Sequence, residues 1–282
     1  MEGHVWRMVE RLLLWVEGKT HRCLYSDREI FLVSLWAILH DRPMVWACQT
    51  ENWSEAFRPP RLPDPSTLSR RWKRLALQNK AYALHEHSVE TLGVPSRYAA
   101  IDGRPLPVGG CSKDPDARPG RSAGGLGKGY KMHALVDLRH AILAYAIRPM
   151  NQAEPTVALH LLEHAPAKVT RVVGDGVYDS MRLHETARAK GRKLYTPLRE
   201  NRVGRRKQPR RVQLLRLGKR ATGRRLLESR NEIERTFGQS STICFGFKGL
   251  PAWARRHQRV FRWIWGKNLL YHAWLLTKQA AA

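Results

Sequence analysis

Cysteine is scarce in this sequence, and its few cysteines are far apart. Four occur in 282 residues, with no CxxC pair among them. They are Cys23, Cys48, Cys111 and Cys244. This spacing argues against a zinc ribbon and against a disulfide framework, and it fits a reducing compartment.

Long apolar runs are also missing. No stretch approaches the roughly 18 apolar residues that a membrane span needs. Glu2 and Glu10 lie where a signal peptide would carry only basic residues. We therefore predict a cytoplasmic protein with no membrane partner.

Acidic residues are few relative to basic ones. The chain has 24 Asp and Glu against 50 Lys and Arg, a formal net charge of +26. Its sequence pI is about 10.8. Such an excess favours a polyanionic partner, above all a nucleic acid. The alternative is a basic chain that merely reflects an Arg-rich genome.

Residues 1–95 are predicted to be helical and to bind DNA. Ser26 and Glu29 have the spacing of a capping box before an apolar helix. A proline-rich segment follows, and Asp64 or Ser66 can cap a further helix with Pro65 in its first turn. Helix, turn and basic helix together resemble a helix-turn-helix reader, although basic faces are often only solvated. The basic residues of that helix are Arg70, Arg71, Lys73 and Arg74.

Residues 96–282 are predicted to form a mixed α/β domain. Residues 98–103 form a short apolar strand that ends in Asp-Gly, and a Gly-rich and Pro-rich loop covers 105–129. A hairpin around Arg139-His140 follows. Helices then alternate with strands at 171–173 and near 193–198. This order suits a central sheet with helices on its faces, followed by C-terminal helices.

A strongly basic segment lies between the last predicted strand and the next helix. Residues 201–225 contain eleven Lys and Arg and no acid, which predicts contact with a phosphate backbone. The residues that we assign to this contact are Arg205, Arg206, Lys207, Arg210 and Arg211.

Carboxylates at strand ends are the candidates for chemistry. Asp102 and Asp175 each follow a short strand and are flanked by glycine, so both are expected at the edge of one sheet. Two-metal phosphodiester chemistry needs carboxylates that converge from different elements. A third candidate lies on the helix around 226–239. There Glu234 lies next to the apolar stripe of that helix, and Glu232 stays open as the alternative.

Four motifs in order resemble a known family. They are YAAIDGRPL, GKGYKMHALVD, VVGDGVYDS and SRNEIERTFG. Together they resemble the catalytic core of DDE transposases of bacterial insertion sequences, of the broad type in families four and five. The likeness covers about residues 98–275. Its most specific part is the R-x-x-x-E-R-x-F pattern formed by Arg230, Glu234, Arg235 and Phe237.

The resemblance implies an RNase H-like core that cuts and joins DNA at element ends. It makes Asp102, Asp175 and Glu234 the catalytic triad, holding Mg²⁺ or Mn²⁺, with two ions expected. The partners it implies are terminal inverted repeats, target DNA and a second copy of the chain, with the protein at the bacterial nucleoid when bound. The residues further assigned to DNA contact are Lys131, His133, Arg230 and Arg235.

Two other functions remain as alternatives. One is a DNA-binding descendant of such an enzyme that has lost catalysis. The other is a zinc hydrolase, because His160, Glu163 and His164 match the H-x-x-E-H motif. The run GGLGKGYK lacks the Ser or Thr that a phosphate-binding loop needs after its lysine, so it fails that motif.

Overall fold

The computed structural model describes residues 2–16, 23–93, 97–122, 124–197, 217, 219–243, 246–247 and 249–281. The chain divides into two compact units. The helical unit combines Met1–Gly93 with Thr242–Ala282, and the sheet unit is Val94–Ser241. No helix within the described ranges is long and apolar enough to cross a membrane.

The helical unit is built from five α-helices within its described residues. They are α1 (Glu2–Leu13), α2 (Asp27–Leu39), α3 (Pro65–Lys73), α4 (Leu75–Leu92) and, from the C-terminal segment, α9 (His257–Ala280). The predicted capping box opens α2, since the Glu29 N–H donates to Ser26 Oγ at 3.2 Å and the Ser26 N–H donates to Glu29 Oε2 at 2.7 Å. Asp64 caps α3 by accepting the Ser66 N–H at 2.7 Å, with Pro65 at the first helical position.

Helix α9 forms the centre of the helical unit. It is buried on most sides, and Trp263 and Trp265 are 0 % exposed. An all-round apolar helix must be surrounded by other elements, and α9 packs on α1, α2 and α4. The sequence-based division placed this helix in the 96–282 domain. Its packing groups it with the N-terminal helices because those helices carry the apolar surfaces that cover it.

The sheet unit contains six strands in its described residues. They are β1 (Tyr98–Pro107), β2 (Arg118–Ser122), β3 (Gly125–Asp137), β4 (Ile142–Pro149), β5 (Arg171–Gly174) and β6 (Lys193–Tyr195). The order is β2-β3-β1-β5-β6, with β4 paired to β3. Strand β1 is antiparallel to β3 and parallel to β5, and β5 is parallel to β6. This mixed sheet with flanking helices confirms the predicted RNase H-like fold class.

The helices of the sheet unit are α5 (Glu154–Glu163), α6 (Met181–Ala189), α7 (Ala221–Glu228) and α8 (Asn231–Thr242). Helix α5 packs on β3, β4 and α6. The predicted hairpin around Arg139-His140 is present, and Asp137 Oδ1 stabilises its turn by accepting the N–H groups of Arg139 and Ala141. The single helix expected around 226–239 is divided into α7 and α8 at Ser229-Arg230.

Candidate active site

Asp102 and Asp175 follow the last residue pair that joins β1 to β5. The parallel register pairs Ile101 with Gly174, so the next residue on each strand is one of the two aspartates. Asp175 therefore directly follows the carboxyl end of β5 and lies beside Asp102, whereas β1 continues past Asp102 along β3 to Pro107.

Backbone hydrogen bonds orient both aspartates. Asp102 Oδ1 accepts the N–H of Gly103 at 2.7 Å. Asp175 Oδ1 accepts the N–H of Val177 at 2.7 Å and so caps the short 3₁₀ helix Gly176–Tyr178. Each carboxylate is therefore held in position by a backbone N–H one or two residues further along the chain.

The surroundings of Asp102 are acidic as well as buried. Burial, together with the negative charges of Asp175 and Glu154, raises the pKa of Asp102 to about 6. The Gly103 N–H and the positive charge of Arg230 act in the opposite direction. Three carboxylates are thus close enough to influence one another.

Glu154 is a site residue that the sequence analysis missed. It opens α5, and its Oε1 accepts a hydrogen bond from Lys131 Nζ at 2.7 Å. The side chain of Glu154 is 19 % exposed, and that of Lys131 is 9 % exposed. Burial raises the pKa of the Tyr178 hydroxyl well above its usual value, and the charge of Glu154 is the next cause. Glu154 therefore joins β3, α5 and the loop after Asp175.

Gly103 makes room for the two side chains that β3 places opposite it. A Cβ at Gly103 would lie 2.7 Å from Lys131 Cδ and 3.2 Å from His133 Nδ1. Lys131 and His133 are both buried, and burial lowers the pKa of His133 to about 4, so its ring is neutral at pH 7. These residues were predicted to contact DNA. Their burial instead suits support of the site from inside the sheet unit.

Arg104 links β1 to helix α8. Arg104 Nη1 donates to the Phe237 carbonyl at 3.1 Å, and its guanidinium lies 5.8 Å from the Phe237 ring centroid. Side chains two apart on a strand share a face, so Asp102 points to the α8 side with Arg104. The helix that carries Glu232 and Glu234 is therefore connected through Arg104 to the face of β1 that carries Asp102.

Glu234 and Glu232 are held by different partners. Glu234 is 59 % exposed, and its Oε1 lies 3.3 Å from Arg230 Nη2. Glu232 Oε1 lies 2.6 Å from Arg235 Nη1, and its Oε2 lies 3.9 Å from His140 Nε2 on the hairpin. Arg230 thus pairs with Glu234 and also lowers the pKa of Asp102. One guanidinium thus interacts with both carboxylates.

Only one trio of potential metal ligands comes together within the described ranges. The ligand atoms of His160, Glu163 and His164 lie within 4.8 Å of one another. Glu163 and His164 are exposed, and His164 Nδ1 lies 3.0 Å from the His160 carbonyl. Asp102, Asp175 and Glu234 do not form such a compact group. The H-x-x-E-H alternative therefore has suitable spacing but an exposed position.

The other residues predicted to contact DNA are placed in three ways. Arg71 is mostly buried and bonds to Asp27 and, at 2.7 Å, to the Tyr25 carbonyl, so packing explains it better than DNA contact. Exposed members are Arg70, Lys73, Arg74 and Arg235. Arg205, Arg206, Lys207, Arg210 and Arg211 lie outside the described residues.

Three comparisons relate this chain to known proteins, and the family model is the one that shows its family. A cryo-EM structure of the piggyBac transposase synaptic complex with hairpin DNA is similar at a TM-score of 0.46 and 9 % identity, covering 98 % of this chain and 72 % of that chain. No curated protein matches the sequence. The family model described as "Transposase DDE domain" matches residues 95–272, which is more than half of the chain. The chain therefore belongs to the transposase DDE domain family.

Proposed function

We propose that this protein cuts DNA at the ends of an insertion sequence and joins those ends to target DNA. The observation that carries the proposal is the position of Asp102 and Asp175 directly after the paired residues Ile101 and Gly174. Membership of the family supports the same chemistry. The proposed partners are double-stranded DNA, as terminal inverted repeats and as target, and a second copy of the chain that holds the other end.

The donor set fits a divalent cation. Burial raises the pKa of Asp102 to about 6, and Asp175 and Glu154 concentrate further negative charge beside it. Mg²⁺ prefers such hard oxygen ligands. We propose that Asp102, Asp175 and Glu234 hold two ions, Mg²⁺ or Mn²⁺. Bound ions activate the attacking oxygen and stabilise the leaving one.

The residues of the chain orient the reacting groups. Backbone N–H groups fix the carboxylates of Asp102 and Asp175 before DNA arrives, and such preorganisation lowers the barrier. The hydrogen-bonded pair of Lys131 and Glu154 stabilises the surroundings of the site. Water would cleave the phosphodiester first, and the freed 3′-hydroxyl would then attack target DNA, each by in-line displacement.

Glu234 must leave Arg230 to complete the triad. Its side chain is exposed and held by one contact of 3.3 Å, and an exposed helix pair of this kind contributes only about 0.3 to 0.5 kcal/mol. A side-chain rotation is therefore inexpensive. Arg230, once released, would be available for a DNA phosphate.

The decisive experiment replaces Asp175 by Asn. The protein is incubated with Mg²⁺ and DNA that carries the ends of its own element, and nicks are mapped. Asp175→Asn should abolish cleavage while leaving DNA affinity nearly unchanged, because it removes a metal ligand but no basic residue. Cleavage retained at the wild-type level would refute the assignment.

The identity of the third carboxylate needs a matched pair of variants. Glu234→Gln should abolish cleavage and weaken Mn²⁺ binding measured by electron paramagnetic resonance. Glu232→Gln, two residues away on the same helix, should leave both nearly unchanged. The reverse outcome would transfer the role to Glu232.

A DNA-binding protein without catalysis is the second candidate, and the pairing of Glu234 with Arg230 favours it. This candidate predicts that the wild-type protein binds element ends and gives no nicks with either Mg²⁺ or Mn²⁺. Metal-dependent nicks that disappear in Asp175→Asn would eliminate it.

A further inference from the structure

A basic groove lies within the helical unit, between α3 and the first turns of α9. Its volume is about 530 Å³. Four of its lining side chains are basic, and none is acidic. The basic residues are Lys73, Arg256, Arg259 and Arg262. A groove lined by one sign of charge concentrates ions of the other sign.

Arg262 is the unusual member of this groove because it is buried without an acidic partner. It is 9 % exposed, and its Nε makes no hydrogen bond. No ion pair joins it to a carboxylate among the described residues. Burial, and then the charge of Arg259, lowers the pKa of Arg262 to about 10, so the guanidinium stays charged at pH 7. Burial of an unpaired charge is unfavourable, and an anionic ligand would offset this penalty.

Trp72 holds the Arg262 guanidinium in place. The guanidinium carbon lies 5.7 Å from the ring centroid of Trp72. The indole itself is anchored, since its Nε1 donates to Ser34 Oγ at 2.8 Å and its ring contacts Trp265 at 5.2 Å between centroids. Arginine stacked on an aromatic ring and preorganised in this way suits phosphate recognition.

The start of α9 adds to the positive potential. Helix α9 is 24 residues long, and its first residues, together with Arg256 just before it, line the groove. The N-terminus of a helix attracts anions. Arg256 also adopts a left-handed backbone with φ of 68°, a conformation that non-glycine residues keep mainly where the surroundings enforce it.

We propose that this groove binds a phosphate of the DNA backbone, with Arg262 as its buried anchor and Arg259 and Lys73 as its exposed arms. The inference rests on the proposed function, because it takes DNA as the partner. A phosphodiester fits best since the groove is open to solvent along exposed basic residues of both helices. A phosphate contact of this kind positions DNA without reading its sequence.

The test uses Arg262→Met in the full chain. Methionine keeps the apolar stem over Trp72 and removes the charge, so the melting temperature should stay equal or rise. Affinity for a short labelled duplex of random sequence, measured by fluorescence anisotropy in EDTA, should fall roughly three- to tenfold. The plot of log affinity against log salt should lose about 0.9 in slope, the value for one phosphate. Arg259→Met, on the exposed side of the groove, should show the same two changes.

Arg11→Met is the matched control, because Arg11 is an exposed residue of α1 in the same helical unit. Equal losses of duplex affinity in Arg262→Met and Arg11→Met would overturn the assignment of the groove as a phosphate site. A wild-type protein that does not bind duplex would instead refute the proposed function. In a second arm, inorganic phosphate at matched ionic strength should raise the melting temperature of wild type more than that of Arg262→Met. Equal stabilisation of the two proteins would also overturn the inference.

Discussion

Lys131 and Glu154 form an ion pair inside the sheet unit, 2.7 Å apart, and the charge of Glu154 reaches Asp102. The position of Glu154 at the start of α5 is favourable for a carboxylate on its own account. Glu154 also neutralises the charge of Lys131, because a buried lysine needs a counter-charge. We infer that Glu154 is a positioning residue of the site.

Replacing Glu154 by Gln should destabilise the protein more than removing both charges. Glu154→Gln leaves Lys131 charged and buried, with an expected loss of about 3 kcal/mol in the free energy of unfolding. The double variant Glu154→Gln with Lys131→Met removes that unpaired charge and should recover most of the loss. Urea unfolding measures both. Strictly additive effects would show that the pair is not coupled.

The two aspartates could be predicted from sequence, whereas Glu154 could not. Asp102 and Asp175 each end an apolar run before glycine, and this local pattern predicts that both belong to strands; the predicted strand end at Asp102 was wrong, since β1 continues to Pro107 by pairing with β3. Glu154 resembles any acidic residue in a first helical turn, since its partner Lys131 lies 23 positions away on another element. Glu234 was found through its motif, and its pairing with Arg230 depends on rotamers that no motif specifies.

At the scale of elements, the close contact between α9 and α2 depends on one glycine. A Cβ at Gly266 of α9 would lie 2.4 Å from Ile38 Cδ1 on α2.

Strand β2 and the first half of β3 were predicted as loop because residues 118–129 are rich in Gly and Pro and carry little apolar alternation. These strands form because β2 pairs with β3 and β3 pairs with β1, although the local preference of this segment for a strand is weak.

In Gly266→Ala, overpacking should lower the free energy of unfolding of the helical unit by about 1 to 3 kcal/mol. The higher helix propensity of alanine should offset about 1 kcal/mol of this loss. Adding Ile38→Val removes the Cδ1 atom and should relieve the clash. The control is Gly238→Ala on α8, where a Cβ would meet nothing within 4 Å. That change should be neutral or stabilising in thermal unfolding. An equal loss in both alanine variants would contradict the packing argument.

His272 should make the helical unit sensitive to acid. Its Nδ1 lies 2.7 Å from Ser88 Oγ, and its ring stacks on His85 at 5.0 Å between centroids. Burial, and then the charge of His85, lowers the pKa of His272 well below its usual value. The stability it contributes is present above about pH 6.5 and falls as acid protonates the unfolded chain, by about 1.4 kcal/mol per pH unit.

The measurement compares wild type with His272→Asn, which keeps a polar nitrogen near Ser88 but does not titrate. The melting temperature of wild type should fall faster than that of the variant between pH 7 and pH 5. Parallel curves would show that His272 is not the group responsible.

At the scale of the whole molecule, the net charge should govern the proposed encounter with DNA. A chain of charge +26 that neutralises six or more phosphates should lose roughly 10³-fold in affinity between 50 and 200 mM salt. Anisotropy titrations over that range measure the slope. Affinity independent of salt would contradict a backbone-dominated interface.

The division of the chain into units was the least predictable feature. Sequence order suggested that residues before about 95 form one domain and all later residues another. The structure inserts the sheet unit between two parts of the helical unit. Local patterns cannot reveal this arrangement, because the buried face of α9 is satisfied by helices more than 160 positions earlier in the chain.

The fragment 1–93 should therefore not fold alone, whereas 1–93 joined to 242–282 by a flexible linker should. Circular dichroism melting distinguishes a cooperative transition from a gradual one. A cooperative transition in the short fragment would show that α9 is dispensable.

The late position of α9 has a consequence for the timing of synthesis. Helices α1, α2 and α4 leave the ribosome first, and α9 is completed 188 residues after the end of α4, about 10 to 40 s later at the usual rate of translation. During that interval the apolar surface that α9 covers, including the side chain of Ile38, which lies against Gly266, lacks its native partner. We infer that the helical unit, with the phosphate-binding groove proposed in it, is completed only after the whole sheet unit has been synthesised.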